Sequence, residues 1–215
     1  MRQHDLLEMF TQQCAQRKTA TAIEWGDEQI SYLALRQQTA SIAHHLQQKK
    51  PGNIALYLDS CPTLVSTLLA CLHTGHVFAP VNVGLPGQLA AKMIQRIAPS
   101  CIVTSARHAE KLEKIAALLP ESPSIVVWDE VSPSLELASL SVLDPPRSQD
   151  PCYIYFTSGS TGEPKAILGS YRGLSHFVMW QQREFGISAH HRVGQVTIPA
   201  FDPYLREVLL PLVAG

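Results

Sequence analysis

Apolar positions recur at helical spacing over residues 5–16. The pattern then shortens to strand-like runs at 21–25 and 29–31, with Gly26-Asp27 as the turn between them. A second helix follows, in which Leu35, Thr39, Ile42 and Leu46 share one face. After Pro51-Gly52 the chain alternates: strands at 54–58, 77–81, 101–104 and 125–128, helices at 63–73, 88–97 and 106–118. This alternation predicts an α/β fold with a mostly parallel sheet flanked by helices. Further on, the apolar, aromatic-rich run 152–156 reads as a buried strand and 166–168 as its return. A helix at 174–185 stops at Gly186, and 193–198 reads as one more strand.

Residues 132–151 break the periodicity. They carry Pro133, Pro145, Pro146 and Pro151 among several serines and read as a surface connection. It divides the chain into a first α/β unit, residues 1–131, and the start of a second, residues 152–215. There are no internal repeats. The run Leu209-Leu210-Pro211-Leu212-Val213-Ala214 demands a packing partner, yet no polar tail follows it, so the ending at Gly215 reads as cut.

Composition narrows the function classes. In 215 residues, 46% are hydrophobic and only 16% charged, enough for a substantial core and for a surface that is partly covered. A formal net charge of −1, with no dense Lys/Arg block, gives no footprint for nucleic acid. The polar start Met1-Arg2-Gln3-His4-Asp5 is no secretory signal, and the apolar region at 64–72 is far short of the roughly 20 residues that span a bilayer. No membrane association and a cytoplasmic location are expected. Five cysteines without Cys-x-x-Cys spacing read as core residues. Nine scattered histidines, with the pairs His44-His45 and His190-His191 pointing to opposite faces, predict no metal site.

The chemistry concentrates in Tyr153-Ile154-Tyr155-Phe156-Thr157-Ser158-Gly159-Ser160-Thr161-Gly162-Glu163-Pro164-Lys165. Gly159 and Gly162 permit a tight bend that aims several backbone N–H groups at one anion. Thr157, Ser158, Ser160 and Thr161 add hydroxyl donors, and Lys165 adds a positive charge. A strand ahead of the loop would deliver it to the carboxyl end of the sheet, where open α/β sheets bind ligands. Two commoner phosphate loops do not fit: a P-loop needs Gly-Lys-Ser/Thr where Pro164-Lys165-Ala166 stand, and a dinucleotide fingerprint needs glycine at position 161.

The run YFTSGSTGEPKAI resembles the nucleotide-phosphate signature of AMP-forming adenylate enzymes, the superfamily of acyl-CoA ligases, luciferases and peptide-synthetase adenylation domains. Ala166 stands where many members have glycine. Two further stretches resemble family motifs in the expected order: Ile30-Ser31-Tyr32-Leu33-Ala34-Leu35, and 72–81 with Gly75 and Pro80. The resemblance implies that Thr157 to Thr161, Gly162 and Lys165 hold the β- and γ-phosphates of ATP, with Thr157 and Lys165 in catalytic roles. Magnesium is implied on the phosphate oxygens, without a visible protein ligand.

The stretch from Phe201-Asp202-Pro203 onward is similar to the peptide-synthetase motif whose aspartate pairs with the ammonium group of an amino-acid substrate. Read from the residues alone, Asp-Pro is also how many helices begin, the carboxylate capping free N–H groups. Arg206, four residues on, shares a helix face with Asp202. It reads either as an exposed ion-pair partner or as a pocket-lining group that would receive an acidic side chain. The resemblance places the adenine and ribose contacts, the hinge and a later catalytic lysine beyond this chain. It implies an incomplete large domain that forms aminoacyl-AMP and loads a phosphopantetheine carrier once the rest is supplied, in the same chain or by another. Two alternatives are an acyl-CoA ligase fragment and a non-catalytic module that binds nucleotide or a partner.

Overall fold

The computed structural model describes residues 5–130, 150–157 and 164–215. Most of the predicted proline-rich connection and residues 158–163 of the loop lie outside them. Helix α1 (Leu6–Gln16) is capped by Asp5, whose carboxylate accepts from Leu7 N–H at 2.9 Å. Strands β1 (Thr21–Trp25) and β2 (Glu28–Ser31) form a hairpin closed by Gly26 at φ +57°, and Ser31 caps α2 (Tyr32–Gln47).

The main sheet has six strands: β3 (Asn53–Tyr57), β4 (Val77–Pro80), β5 (Pro99–Thr104), β6 (Ser124–Val127), β7 (Pro151–Thr157) and β8 (Lys165–Ser170). Their spatial order is β6-β5-β3-β4-β7-β8, parallel except for the β7–β8 pair. The predicted mostly parallel α/β architecture is therefore present. One sheet runs through strands from both sides of the proline-rich connection.

Residues on successive strand positions face opposite layers. Ile54, Leu56, Cys101 and Val103 face a layer made by α1, α2, α3 (Pro62–Thr74), α6 (Tyr171–Glu184) and α7 (Pro203–Ala214). Ala55, Tyr57 and Ile102 face α4 (Gly87–Ile97) and α5 (Ala106–Ala116). Helix α3 is buried on all sides from Leu64 to His73, as a helix apolar all round must be. Each of its buried leucines contributes roughly 1.5–3 kcal/mol. All five cysteines are free, and four are buried.

The apolar run of α7 finds its partners within the chain: Leu205, Val208, Leu209, Leu212 and Val213 lie in the core beside α1 and α6. Tyr32 Oη donates to the carbonyls of Pro211 and Leu212, and Gln13 Nε2 to that of Val213.

The predicted strand at 193–198 is not formed; this segment has no regular structure. The N–H groups of Val196 and Thr197 go to the Glu207 carboxylate rather than to a neighbouring strand. Four β-branched residues in six signal a strand, but a side-chain acceptor takes the donors that a sheet would need.

The β7–β8 hairpin depends on one close approach. Tyr153 and Gly169 are cross-strand partners, and a methyl group at 169 would sit inside the Tyr153 ring. Gly169→Ala is expected to cost about 2 kcal/mol in a urea unfolding titration. Pairing it with Tyr153→Ala should recover part of that loss, whereas parent-like stability of Gly169→Ala alone would show that the ring is not held there.

Candidate functional site

Strands β3 to β7 run in one direction, so their carboxyl ends share one edge of the sheet. The loop flagged in the sequence leaves from this edge. Thr157 ends β7, Lys165 begins β8, and the two are cross-strand partners with both side chains exposed. The hairpin register thus sets a hydroxyl and an ammonium group on either side of the loop mouth. Among the described residues Lys165 has no ion-pair partner. Ser158, Gly159, Ser160, Thr161 and Gly162 lie outside the described residues. The far side of the loop is tethered by Arg96 of α4, whose guanidinium donates to the Pro164 carbonyl at 2.5 Å.

Asp202 precedes α7, and Pro203 is its first residue. The carboxylate caps nothing: Asp202 has helical angles, φ −57° and ψ −31°. The first-turn donors are satisfied by i−3 carbonyls, Tyr204 N to Phe201 O and Leu205 N to Asp202 O, each at 3.0 Å. The helix start therefore leaves this carboxylate exposed and unspent. Its charge adds, behind burial, to the upward shift of the Tyr153 and Tyr155 hydroxyls on β7. Burial pushes the Tyr155 hydroxyl up, with the charges of Tyr204 and Asp202 adding to it, and among the described residues that buried hydroxyl has no hydrogen-bond partner. Arg206 lies one helical turn along, exposed, and forms no ion pair with Asp202. The surface-pair reading of these two residues is not realised among the described residues.

Sequence reasoning missed a network just before Asp202. Glu207 accepts from Val196 N at 3.0 Å, Thr197 N at 2.9 Å, Thr197 Oγ1 at 2.6 Å and Gln195 Nε2 at 3.5 Å. Burial opposes ionisation of Glu207, but the hydrogen bonds from Thr197, Val196 and Gln195 outweigh it and hold the carboxyl below its ordinary range. Ser60, just after β3, donates to Gln195 Oε1, and it also bonds the buried Tyr204 hydroxyl. The segment ahead of Asp202 is thereby tied to the same sheet edge. No local spacing announces this, because Glu207 and Thr197 are ten residues apart and meet only through the corner between them.

Among the described residues, no three His, Cys, Asp or Glu side chains gather as a metal site, and no helix is long and apolar enough to cross a membrane.

The family model for AMP-binding enzymes matches residues 10–215. The chain belongs to the AMP-binding enzyme family. Among relatives of this family member, a dimodular nonribosomal peptide synthase of Bacillus subtilis is 31% identical over 222 residues, covering 98% of this chain and 9% of the synthase. The chain thus spans about a tenth of that relative. The Vibrio cholerae adenylation domain AlmE, solved with glycyl-adenosine-5'-phosphate, superposes with a TM-score of 0.83 at 18% identity, over 98% of this chain and 43% of AlmE. The N-terminal subdomain of Klebsiella oxytoca NpsA, solved with 3-hydroxybenzoyl-AMSN, gives 0.78 at 20% identity, over 98% of this chain and 52% of that one. At these identities the structural likeness is one of fold. The α/β fold of this family member matches part of an adenylation-domain architecture.

Proposed function

We propose that this AMP-binding family member is the N-terminal portion of an amino-acid-activating adenylation domain. The observation that carries the reading is the convergence of two elements at one sheet edge. Thr157 and Lys165 flank the loop on β7 and β8, and the segment that leads into the exposed Asp202 is tied through Gln195 to Ser60, just after β3, at the same edge. In the completed enzyme an oxygen of the substrate carboxylate attacks the α-phosphorus of ATP. The bond from that phosphorus to the bridging oxygen of the β-phosphate breaks, and aminoacyl-AMP and pyrophosphate form. The acyl group then passes to the phosphopantetheine thiol of a carrier protein, releasing AMP.

Each residue has a part in this. Thr157 and Lys165, with Ser158, Gly159, Ser160, Thr161 and Gly162 between them, receive the β- and γ-phosphates, so that charge growing on the leaving pyrophosphate meets fixed donors. Lys165, exposed and without an ion pair among the described residues, suits a polyphosphate. Magnesium would supply charge neutralisation on phosphate oxygens. Asp202 and Pro203 seat the substrate ammonium group and so aim its carboxylate. Arg206, exposed one turn further along, favours an acidic side chain in the substrate. The reading carries with it a cytoplasmic location.

A second reading is activation of a carboxylic acid without an α-amine, which the 3-hydroxybenzoyl ligand of NpsA favours. Pyrophosphate exchange separates them. This polypeptide alone should show none, because it spans less than half of AlmE, and activity should return when the remaining part is supplied. Lys165→Ala in the completed enzyme should raise the KM for ATP roughly tenfold. Exchange by the isolated chain, or equal turnover of acids lacking the amine, would overturn the proposal.

A further inference from the structure

Among the described residues the Asp202 side chain makes no hydrogen bond or ion pair, yet a recognition carboxylate must be fixed to within about half an ångström to be useful. Its backbone setting supplies the fixation. From Ile198 to Asp202 the chain turns a tight corner, closed by Phe201 N to Ile198 O at 3.1 Å and opened into α7 by Tyr204 N to Phe201 O at 3.0 Å. One end of that corner is the rigid first turn of α7. The other end is Thr197, which no strand holds.

Glu207 closes the gap. It projects from the second turn of α7, and its Oε2 takes the two successive N–H groups of Val196 and Thr197, while Oε1 takes the Thr197 hydroxyl. Gln195 extends the grip, reaching the Thr197 carbonyl and Glu207 with its amide nitrogen and receiving the Ser60 hydroxyl on its amide oxygen. We infer that Glu207 is a positioning residue: by stapling Thr197 back onto α7 it converts residues 197–207 into a closed ring of chain that sets where the Asp202 carboxylate stands. A merely solvated glutamate on an exposed turn would not collect two backbone and one hydroxyl donor at 2.6–3.0 Å. The inference rests on the substrate-recognition role given to Asp202 above.

Glutamine at 207 keeps the arm length, keeps an oxygen for the two N–H groups and offers its amide nitrogen to the Thr197 oxygen. Alanine keeps none of these, and Thr197→Val removes the hydroxyl partner alone. Two readouts follow. In the 215-residue chain, backbone 15N order parameters at 198–202 should fall from about 0.85 to below about 0.6 in Glu207→Ala and stay near the parent value in Glu207→Gln. In the completed enzyme, Glu207→Ala should raise the KM for the amino acid roughly tenfold or more and leave the KM for ATP within about twofold, with Glu207→Gln restoring most of the loss and Thr197→Val lying between. A corner that stays rigid in Glu207→Ala refutes the staple. A corner that loosens while both KM values stay put, or rise together, refutes its role in placing Asp202. If the parent completed enzyme activates no amino acid, the functional reading fails, and the order parameters still decide the staple.

Discussion

Asp202→Ala in the completed enzyme is expected to lower kcat/KM for its amino acid by roughly 100- to 1,000-fold, the cost of leaving a bound ammonium group without its counter-charge. The KM for ATP should move by less than about twofold, because the phosphate loop is on a different element. Stability should stay within about 0.5 kcal/mol of the parent, since the carboxylate neither caps α7 nor joins an ion pair with Arg206. That last point gives the experiment its power: an exposed side chain with no structural duty can lose activity only through what it does to the substrate. Exchange kinetics and a urea titration on the same preparation check it. An undiminished kcat/KM would remove Asp202 from the site, and a large drop in stability would return it to the capping role that Asp-Pro suggests.

Acid should destabilise the chain through His73, which lies near the end of α3, 4% exposed, with its ring centroid 6.5 Å from that of Phe10. Burial, with a smaller push from the Arg36 charge, lowers its pKa from 6.5 to about 4, and among the described residues its Nε2 has no hydrogen-bond partner. The folded-state value is depressed, so the stability it confers is present above pH 6.5. As the pH falls below that, the unfolded chain takes up a proton the native state refuses, and stability drains away until the native imidazole also titrates near pH 4. The total is about 3 kcal/mol at roughly 1.4 kcal/mol per pH unit. His45 and His76 are lowered by burial too and add to the same slope. Urea midpoints compared at pH 7.5 and 4.5 measure the loss. His73→Leu should flatten the largest part of it, and an unchanged slope in that variant would assign the acid sensitivity elsewhere.

The parts of the structure that local pattern dictates were legible in the sequence. The helix at 88–97 carries its apolar residues on one stripe and packs that stripe on β3, while Pro62 and Gly75 mark the two ends of α3 as their backbone preferences require. The loop signature was legible because glycines, hydroxyls and one lysine at fixed spacing have few other uses. What the sequence did not yield depends on pairings across distance. Residues 193–198, rich in β-branched side chains, look like a strand, and only the fold brings Glu207 close enough to take the donors that a strand would have shared. Asp202 looked like a cap, and only the i−3 turn before Tyr204 shows that α7 needs none. Glu207 and Ser60 carried no signal of their own, since a single glutamate on a helix and a single serine after a strand are ordinary until their partners are seen.

The joining of α1 to α7 has a consequence for how the polypeptide is made. Gln13 and Val213 are 200 residues apart, and the hydroxyl of Tyr32 likewise waits for carbonyls of the last helix. On the ribosome the first helix emerges many seconds before its seat exists, at elongation rates of roughly 5–20 residues per second. Phe10 can meet His73 of α3 early, but the face of α1 that packs on α6 and α7 must wait, so the nascent chain is exposed to chaperones and to misassembly until residues 203–214 have cleared the exit tunnel.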